Sequence, residues 1–193
     1  MYLVQMAQQP MPAESEARRL RALAHPLRWR IIGLLEAEGS VTATRCAEAL
    51  GESVASCSYH LGILGKYGYL EPVPLQGGRE RPWRLASQHQ DLRPSSDDAV
   101  PAALAAAAAF LEHEFARLKA RLHNLPHERP EWQEASFVGS TSAYLTAAEL
   151  HELKDLLHAL LQRHEDRKDR AVAPEGARHV RIFVSTSVAP EEP

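Results

Sequence analysis

Apolar residues recur at helical spacing in the segment Val54–Tyr67, and small or polar residues occupy the opposite side. At about 100° per residue, one side carries Val54, Cys57, Leu61 and Leu64, and the other carries Ala55, Ser56, Tyr59, Gly62 and Lys66. A shorter segment, Val41–Leu50, precedes this one, and Gly51-Glu52-Ser53 supplies a turn. The pattern predicts a helix-turn-helix whose second helix packs through one face and offers the other to a groove of DNA. A small three-helix core with no DNA role would give the same pattern.

The residues after this helix predict a β-ribbon. Tyr69–Leu75 is an extended run marked by prolines, Gln76–Arg79 has the composition of a hairpin turn, and Glu80–Leu85 predicts a second strand. A ribbon in this place is a wing. It would carry Arg79 and Arg81 to phosphates or into the minor groove.

Two stretches resemble ArsR-type winged helix-turn-helix transcription regulators. Ala22–Leu35, with the sequence ALAHPLRWRIIGLL, is similar to the family's first-helix motif L-x-hP-x-R-x-x-I-L-x-x-L, and Ser56–Leu64 is similar to its recognition helix. The similarity runs from about Glu16 to Leu85, and the motifs and the wing follow the family's order. The resemblance implies a homodimeric bacterial regulator, usually a repressor, that binds a partly palindromic operator and leaves it when an effector arrives.

The side chains on these elements give a candidate DNA-binding site. We expect the recognition helix to read or position the major groove, Arg45 and Lys66 to hold phosphates, and the wing arginines to contact the backbone or minor groove. The complete set is Arg45, Ser56, Ser58, Tyr59, His60, Lys66, Arg79 and Arg81. In the first helix Arg28 faces partly outward, and its partner is either a phosphate or a neighbouring glutamate. Thr42 is expected to cap the next helix.

An alanine-rich helix is predicted after the polar linker Ser87–Val100. Spacings of four and three residues separate Leu104, Ala108, Leu111, Phe115, Leu118 and Leu122. This coiled-coil-like seam predicts a dimerisation helix over residues 99–124, because helix-turn-helix proteins read DNA in symmetric pairs. Packing of the seam onto its own domain is the alternative.

Residues 131–190 go beyond the winged-helix pattern and predict a strand, a leucine-rich helix and a strand. Thr146 and Glu149 have the spacing of a capping box for a helix over Ala147–Arg170. His179–Val188 alternates like a half-buried strand, and we expect it to pair with the extended segment Phe137–Leu145. This extension resembles that of large ArsR-like regulators common in actinobacteria. Trp132, Phe137 and Tyr144 could line an apolar pocket for a small-molecule effector or could be ordinary core.

Charge divides the chain more clearly than its net value of −3 suggests. Arg18–Arg84 carries ten basic and six acidic residues, a net charge of +4, whereas the chain from Asp91 onward carries twelve basic and seventeen acidic residues, a net charge of −5. A basic module joined to an acidic one suits salt-dependent DNA binding with restrained non-specific affinity. The predicted fold class is mainly α with a small β component (α+β), with a winged helix-turn-helix domain over residues 14–88.

The cysteines and histidines do not predict a metal site. Cys46 and Cys57, the two cysteines of the chain, lie one in each helix of the motif and are expected to be small buried thiols. The Cys-x-Cys pair of metal-sensing relatives is absent, and no two histidines occur at i, i+4 on a predicted helix. We therefore expect neither a metal nor a cofactor.

Enzymatic signatures are also missing from the sequence. It has no phosphate loop and no nucleophile elbow. The run Ser58-Tyr59-His60 does not supply a nucleophile with its base, because adjacent helix residues point about 100° apart. Neither an apolar run of about 18 residues nor a secretory signal is evident, which predicts a cytoplasmic protein without a membrane partner. The sequence therefore predicts a homodimeric DNA-binding repressor. The alternative is a winged-helix protein-interaction module without sequence-specific DNA binding.

Overall fold

The computed structural model describes residues 13–74, 81–87, 90–164, 167 and 172–189. The chain divides into two compact units, residues 1–124 and 125–193. The elements of the first unit are α1 (Ala13–Arg21), α2 (Pro26–Glu38), β1 (Ser40–Val41), α3 (Ala43–Leu50), α4 (Val54–Lys66), β2 (Leu70–Pro72), β3 (Trp83–Leu85) and α5 (Val100–Asn124). The second unit contains α6 (Pro130–Ala135) and α7 (Ala147–Gln162). The predicted class, mainly α with a small β component, is confirmed.

Helix α2 forms the centre of the first unit. Pro26 opens it at a position that needs no amide hydrogen, and the His25 Nδ1 atom accepts a hydrogen bond of 3.2 Å from the amide of Leu27. The Trp29 indole donates a hydrogen bond of 2.7 Å to the carbonyl of Leu23, which holds the preceding loop against the helix. The buried face of α2 shares one apolar cluster with α3, α4 and the small sheet, whose members include Ile31, Ile32, Leu35, Val41, Cys46, Cys57, Leu61 and Leu64.

The predicted helix-turn-helix is confirmed as α3, a short turn and α4. Thr42 caps α3 as predicted, since its hydroxyl accepts a hydrogen bond of 3.2 Å from the amide of Arg45. Gly51 ends α3 with φ at 69°, a left-handed conformation that glycine adopts without a side-chain clash. Ser53 then caps α4.

The wing is an antiparallel sheet in the order β1-β3-β2. Glu71 pairs with Arg84 across β2 and β3, and the Arg84 Nε lies 2.7 Å from a Glu71 carboxylate oxygen. The strands are shorter than predicted, and the predicted turn Gln76–Arg79 lies outside the described residues. Strand β1 was not predicted, because two residues are too few to show an alternating pattern.

Helix α5 packs on the first unit through alanines. Its buried residues include Ala102, Ala103, Ala106 and Ala109, and α5 packs against both α1 and α2. The ring of Phe110 lies 4.8 Å from that of Trp29, between centroids. The residues of the predicted seam are exposed or partly exposed, with Leu104 at 66% and Phe115 at 53%. The helix therefore uses one face for its own domain and presents the predicted seam on another.

By length and composition, one helix in the described part of the chain, Asp97–His127, could cross a membrane. The alanine-rich stretch 102–109 raises its mean hydropathy, although Glu112 and Glu114 interrupt the segment and it is not an unbroken apolar run of about 18 residues. The indication is weak, because the core helix of a soluble protein meets the same criterion. The helix also buries Glu114.

In the second unit α7 begins as predicted. The Thr146 hydroxyl accepts a hydrogen bond from the amide of Glu149, and the Glu149 carboxylate accepts one of 2.7 Å from the amide of Thr146, which completes the capping box. The helix ends at Gln162, short of the predicted Arg170.

The two predicted strands differ from the structure. Among the described residues of the second unit, neither the segment 136–146 nor the segment 177–189 forms a strand. The side chains of Phe137 and Ile182 are largely exposed, as are those of the α7 leucines Leu156 and Leu160. An alternating sequence makes a strand only when a neighbour supplies backbone hydrogen bonds and an apolar cover, and the described residues of the second unit supply neither to these segments.

Candidate nucleic-acid interface

Helix α4 presents the outward face that its spacing predicts. Ala55, Tyr59, Gly62 and Lys66 are exposed, and the Tyr59 side chain is 61% accessible to solvent. Ser58 flanks this face on the side of Val54 and is exposed as well. Ser56, another predicted reading residue, is half-buried, and its amide donates a hydrogen bond of 3.1 Å to the Ser53 hydroxyl at the helix start. The exposed face combines small residues, two hydroxyl groups and a cation, which allows close approach to a polar partner.

The opposite face of α4 is buried with one exception. Cys57, Leu61 and Leu64 are completely or almost completely inaccessible, whereas Val54, predicted on the same side, is exposed at the first position of the helix. Both cysteines are buried free thiols, as predicted. Burial, with a smaller contribution from the neighbouring Cys57, raises the pKa of Cys46 to about 11.

His60 does not lie where the sequence predicts it. Its side chain is only 7% exposed and contacts α2, where the Arg28 Nε donates a hydrogen bond of 3.2 Å to the His60 Nδ1. This position follows from the α4 geometry, because His60 lies at the edge of the packed face rather than opposite it. We therefore remove His60 from the DNA-contacting set.

Arg45 is exposed but already paired within the domain. Its guanidinium donates three hydrogen bonds of 2.6–3.2 Å to the Glu38 carboxylate. The hydrogen bonds between the two side chains lower the pKa of the Glu38 carboxyl group and raise the pKa of the Arg45 guanidinium. Arg30 is likewise held, with its Nη1 2.9 Å from a carboxylate oxygen of Glu52 in the helix-turn-helix turn. To bind Arg45, a DNA phosphate would have to displace the Glu38 carboxylate from its guanidinium.

The wing is docked directly on α4. Trp83 of β3 lies over Gly65, where a methyl group would clash with the indole Cζ3. Arg81 is exposed just before β3 and lines a cleft with Pro72, Val73 and Pro74. The other predicted wing residue, Arg79, lies outside the described residues.

Sequence reasoning missed the roles of His25 and Arg28 beside α4. The Arg28 partners are the Ala22 carbonyl, at 2.6 Å, and His60, so neither of the partners predicted for it, a glutamate or a phosphate, holds it in this structure. The His25 ring lies 4.4 Å from that of His60, between centroids. The His-Pro pair at the start of α2 is visible in the sequence. Its pairing with α4 is not, because the hydrogen bond between Arg28 and His60 joins residues 32 positions apart.

The aromatic residues proposed for an effector do not enclose a pocket. Phe137 is 91% exposed and Tyr144 is fully exposed. Trp132 is half-buried, and the Arg178 guanidinium lies 5.0 Å from its ring centroid while also pairing with Glu128. Trp132 is therefore held in a local cluster within the second unit.

Metal-binding side chains are not gathered in the part of the chain that the structure describes. No group of three or more histidine, cysteine, aspartate or glutamate side chains there could hold an ion.

Comparison with protein families gives a match in the first unit. A family model described as a helix-turn-helix domain matches residues 23–72, which run from the loop before α2 through α4 to β2. No curated protein matches the chain. The matched segment includes the whole outward face of α4. Together, the match and the geometry support a winged helix-turn-helix regulator that binds DNA, and they point away from an enzyme.

Proposed function

We propose that this protein is a homodimeric, ArsR-like transcriptional repressor that reads DNA with the outward face of α4. The single observation that carries the proposal is the exposure of Tyr59, at 61%, on a helix whose opposite face lies in the core. A large aromatic side chain with a hydroxyl group at its tip gains contact area and a hydrogen bond when it enters a groove. The small neighbours Ala55 and Gly62 let the helix backbone approach closely.

The residues divide between reading bases and holding the backbone. Ser58 and Tyr59 lie on the reading face, and Lys66 at the end of α4 and Arg81 at the wing are suited to phosphates. Ser56 would act mainly through its backbone, since its side chain is half-buried. Arg45 joins this set only by leaving Glu38, and Arg79 remains a proposal from the sequence alone.

Two copies would associate through the predicted seam of α5. The alanine face of α5 already packs on its own domain, so Leu104 and Phe115 remain on a different face with large exposed apolar area. Burying such a face between two identical helices gives the two-fold pair that places recognition helices about 34 Å apart, one turn of DNA. The protein would act in the cytoplasm and leave its operator when an effector binds, and the proposal includes no cofactor.

A protein-interaction module is the second candidate, and the ion pairs favour it. Arg30, Arg45 and Arg84 are each bonded to a glutamate, so part of the basic charge of this domain is already balanced. A winged helix whose basic residues are partly neutralised in this way can bind another protein instead of a duplex.

The salt dependence of duplex binding separates the two candidates. A DNA regulator should protect a discrete site in its own promoter, and its affinity should fall with a log–log slope of about −0.9 per phosphate contacted. An unrelated duplex of the same length serves as the control. Equal, weak binding to both duplexes, or no footprint at low salt, would reject the regulator and leave the interaction module.

A further inference from the structure

His60 connects the DNA-reading helix to the first helix of the domain. Its Nδ1 accepts the hydrogen bond from the Arg28 Nε at 3.2 Å, and the same guanidinium donates through Nη1 to the Ala22 carbonyl at 2.6 Å. The His60 ring also contacts the rings of His25, at 4.4 Å, and of Tyr59, at 5.2 Å and nearly perpendicular. One buried imidazole thus joins α2 to the residue that we place at the centre of the reading face.

This arrangement requires a neutral His60. An imidazole Nδ1 accepts a hydrogen bond only when it carries no proton, so the proton of the neutral ring must be on Nε2. Arg28 is positively charged at and below neutral pH, although burial lowers its pKa. Protonation of His60 would therefore turn the accepting nitrogen into a second donor and set two cations against each other.

The surroundings favour the neutral form. Burial lowers the pKa of His60, and His25 and Arg28 from α2 lower it further, while only Glu52 in the turn before α4 raises it. Glu52 is itself paired with Arg30. On α4 the ring of the neighbouring Tyr59 lies against the imidazole.

We propose that Arg28 and neutral His60 are positioning residues for the DNA-reading helix, and that protonation of His60 releases α4 and lowers the affinity for specific DNA. This inference rests on the proposed function. Its sign is unusual, because histidines near a duplex normally gain charge in acid and bind phosphates more tightly. A fall in affinity in acid therefore distinguishes a buried positioning histidine from a histidine that contacts DNA.

The test measures affinity for the promoter duplex at constant salt in steps from about pH 8 down to the lowest pH at which the free protein stays folded, because the pKa of native His60 lies below the ordinary value of about 6.5. Wild type should lose affinity in acid by up to about tenfold per pH unit, the limit for one coupled proton. His60→Asn places an amide oxygen near the position of Nδ1 and cannot titrate, so it should bind like wild type at about pH 8 and lose the acid decrease. His123→Asn, at an exposed position on α5, is the matched control and should keep the decrease.

Unfolding by urea gives a readout that needs no DNA. The unfolded chain takes up the proton near the ordinary pKa of about 6.5, whereas the native state resists it, so the free energy of unfolding should fall as the pH drops below about 6.5. His60→Asn should reduce this fall. If wild type and His60→Asn respond identically to acid in both assays, the positioning role is wrong. Normal binding at about pH 8 that strengthens in acid overturns this inference alone, while no duplex binding at about pH 8 overturns the proposed function.

Discussion

Replacing Gly65 by alanine tests the contact that docks the wing on the reading helix. A Cβ atom at this position would clash with the Trp83 Cζ3 and lie 2.7 Å from its Cη2, well inside van der Waals contact. Gly62, one turn earlier on the same helix, has no atom within 4 Å of the equivalent position. Gly62→Ala is therefore the matched control, with the same chemical change and no clash.

The two variants share one contribution to stability and differ in the other. Alanine in place of glycine stabilises a helix interior by about 0.5–1 kcal/mol at either position. Overpacking costs about 1–3 kcal/mol, and Trp83 cannot move away easily, because β3 is paired with a strand on each side. Gly62→Ala should raise the free energy of unfolding, and Gly65→Ala should fall below it by about 1–3 kcal/mol.

Urea denaturation followed by tryptophan fluorescence measures the free energy of unfolding of both variants. Their affinity for the promoter duplex is a second, independent measurement. Gly62→Ala adds a methyl group to the reading face, so it should weaken specific DNA binding although the protein becomes more stable. Equal stability of the two variants would refute the wing contact. Wild-type affinity in Gly62→Ala would refute the close approach of α4 to DNA.

Three further predictions concern other surfaces. Phe115→Glu should convert the dimer to a monomer in sedimentation velocity, whereas Ala116→Glu, one residue away from the seam, should not; a dimer in both would reject the seam. Lys66→Ala should weaken duplex binding and reduce the salt slope by about 0.9, with Lys119→Ala on α5 as the control; an unchanged slope would remove Lys66 from the backbone contacts. Thr146→Ala removes the cap of α7 and should lower the stability of that helix by about 1 kcal/mol, measured by circular dichroism during denaturation. Thr141→Ala is the control, because Thr141 caps no helix, and it should have no effect.

Local rules predicted most of the first unit. The start of α3 follows from Thr42, the turn from Gly51, and the buried face of α4 from residues spaced at about 100°. The same helical spacing shows why the prediction for His60 was wrong. Counted from Val54, this residue lies at about 240°, only about 40° from Leu64 and hence beside the packed face. Its assignment needed Arg28, 32 residues earlier, and a contact at that separation leaves no periodic trace in the sequence.

The errors in the second unit have a different physical origin. The alternation in His179–Val188 and the apolar side of α7 each specify a face that can be buried, but neither specifies what buries it. In a single chain Val180, Ile182 and Leu156 are exposed, so the pattern is present without the sheet that it predicts. Strand pairing depends on an apolar layer that packs over the strands as much as on β propensity. A single sequence does not show whether another chain supplies that layer. If dimerisation through α5 supplied that cover, Phe115→Glu would also expose apolar surface of the second unit. The Phe115→Glu variant should then bind hydrophobic dyes more strongly than the Ala116→Glu control. Equal dye binding by the two variants would show that dimerisation does not cover the second unit.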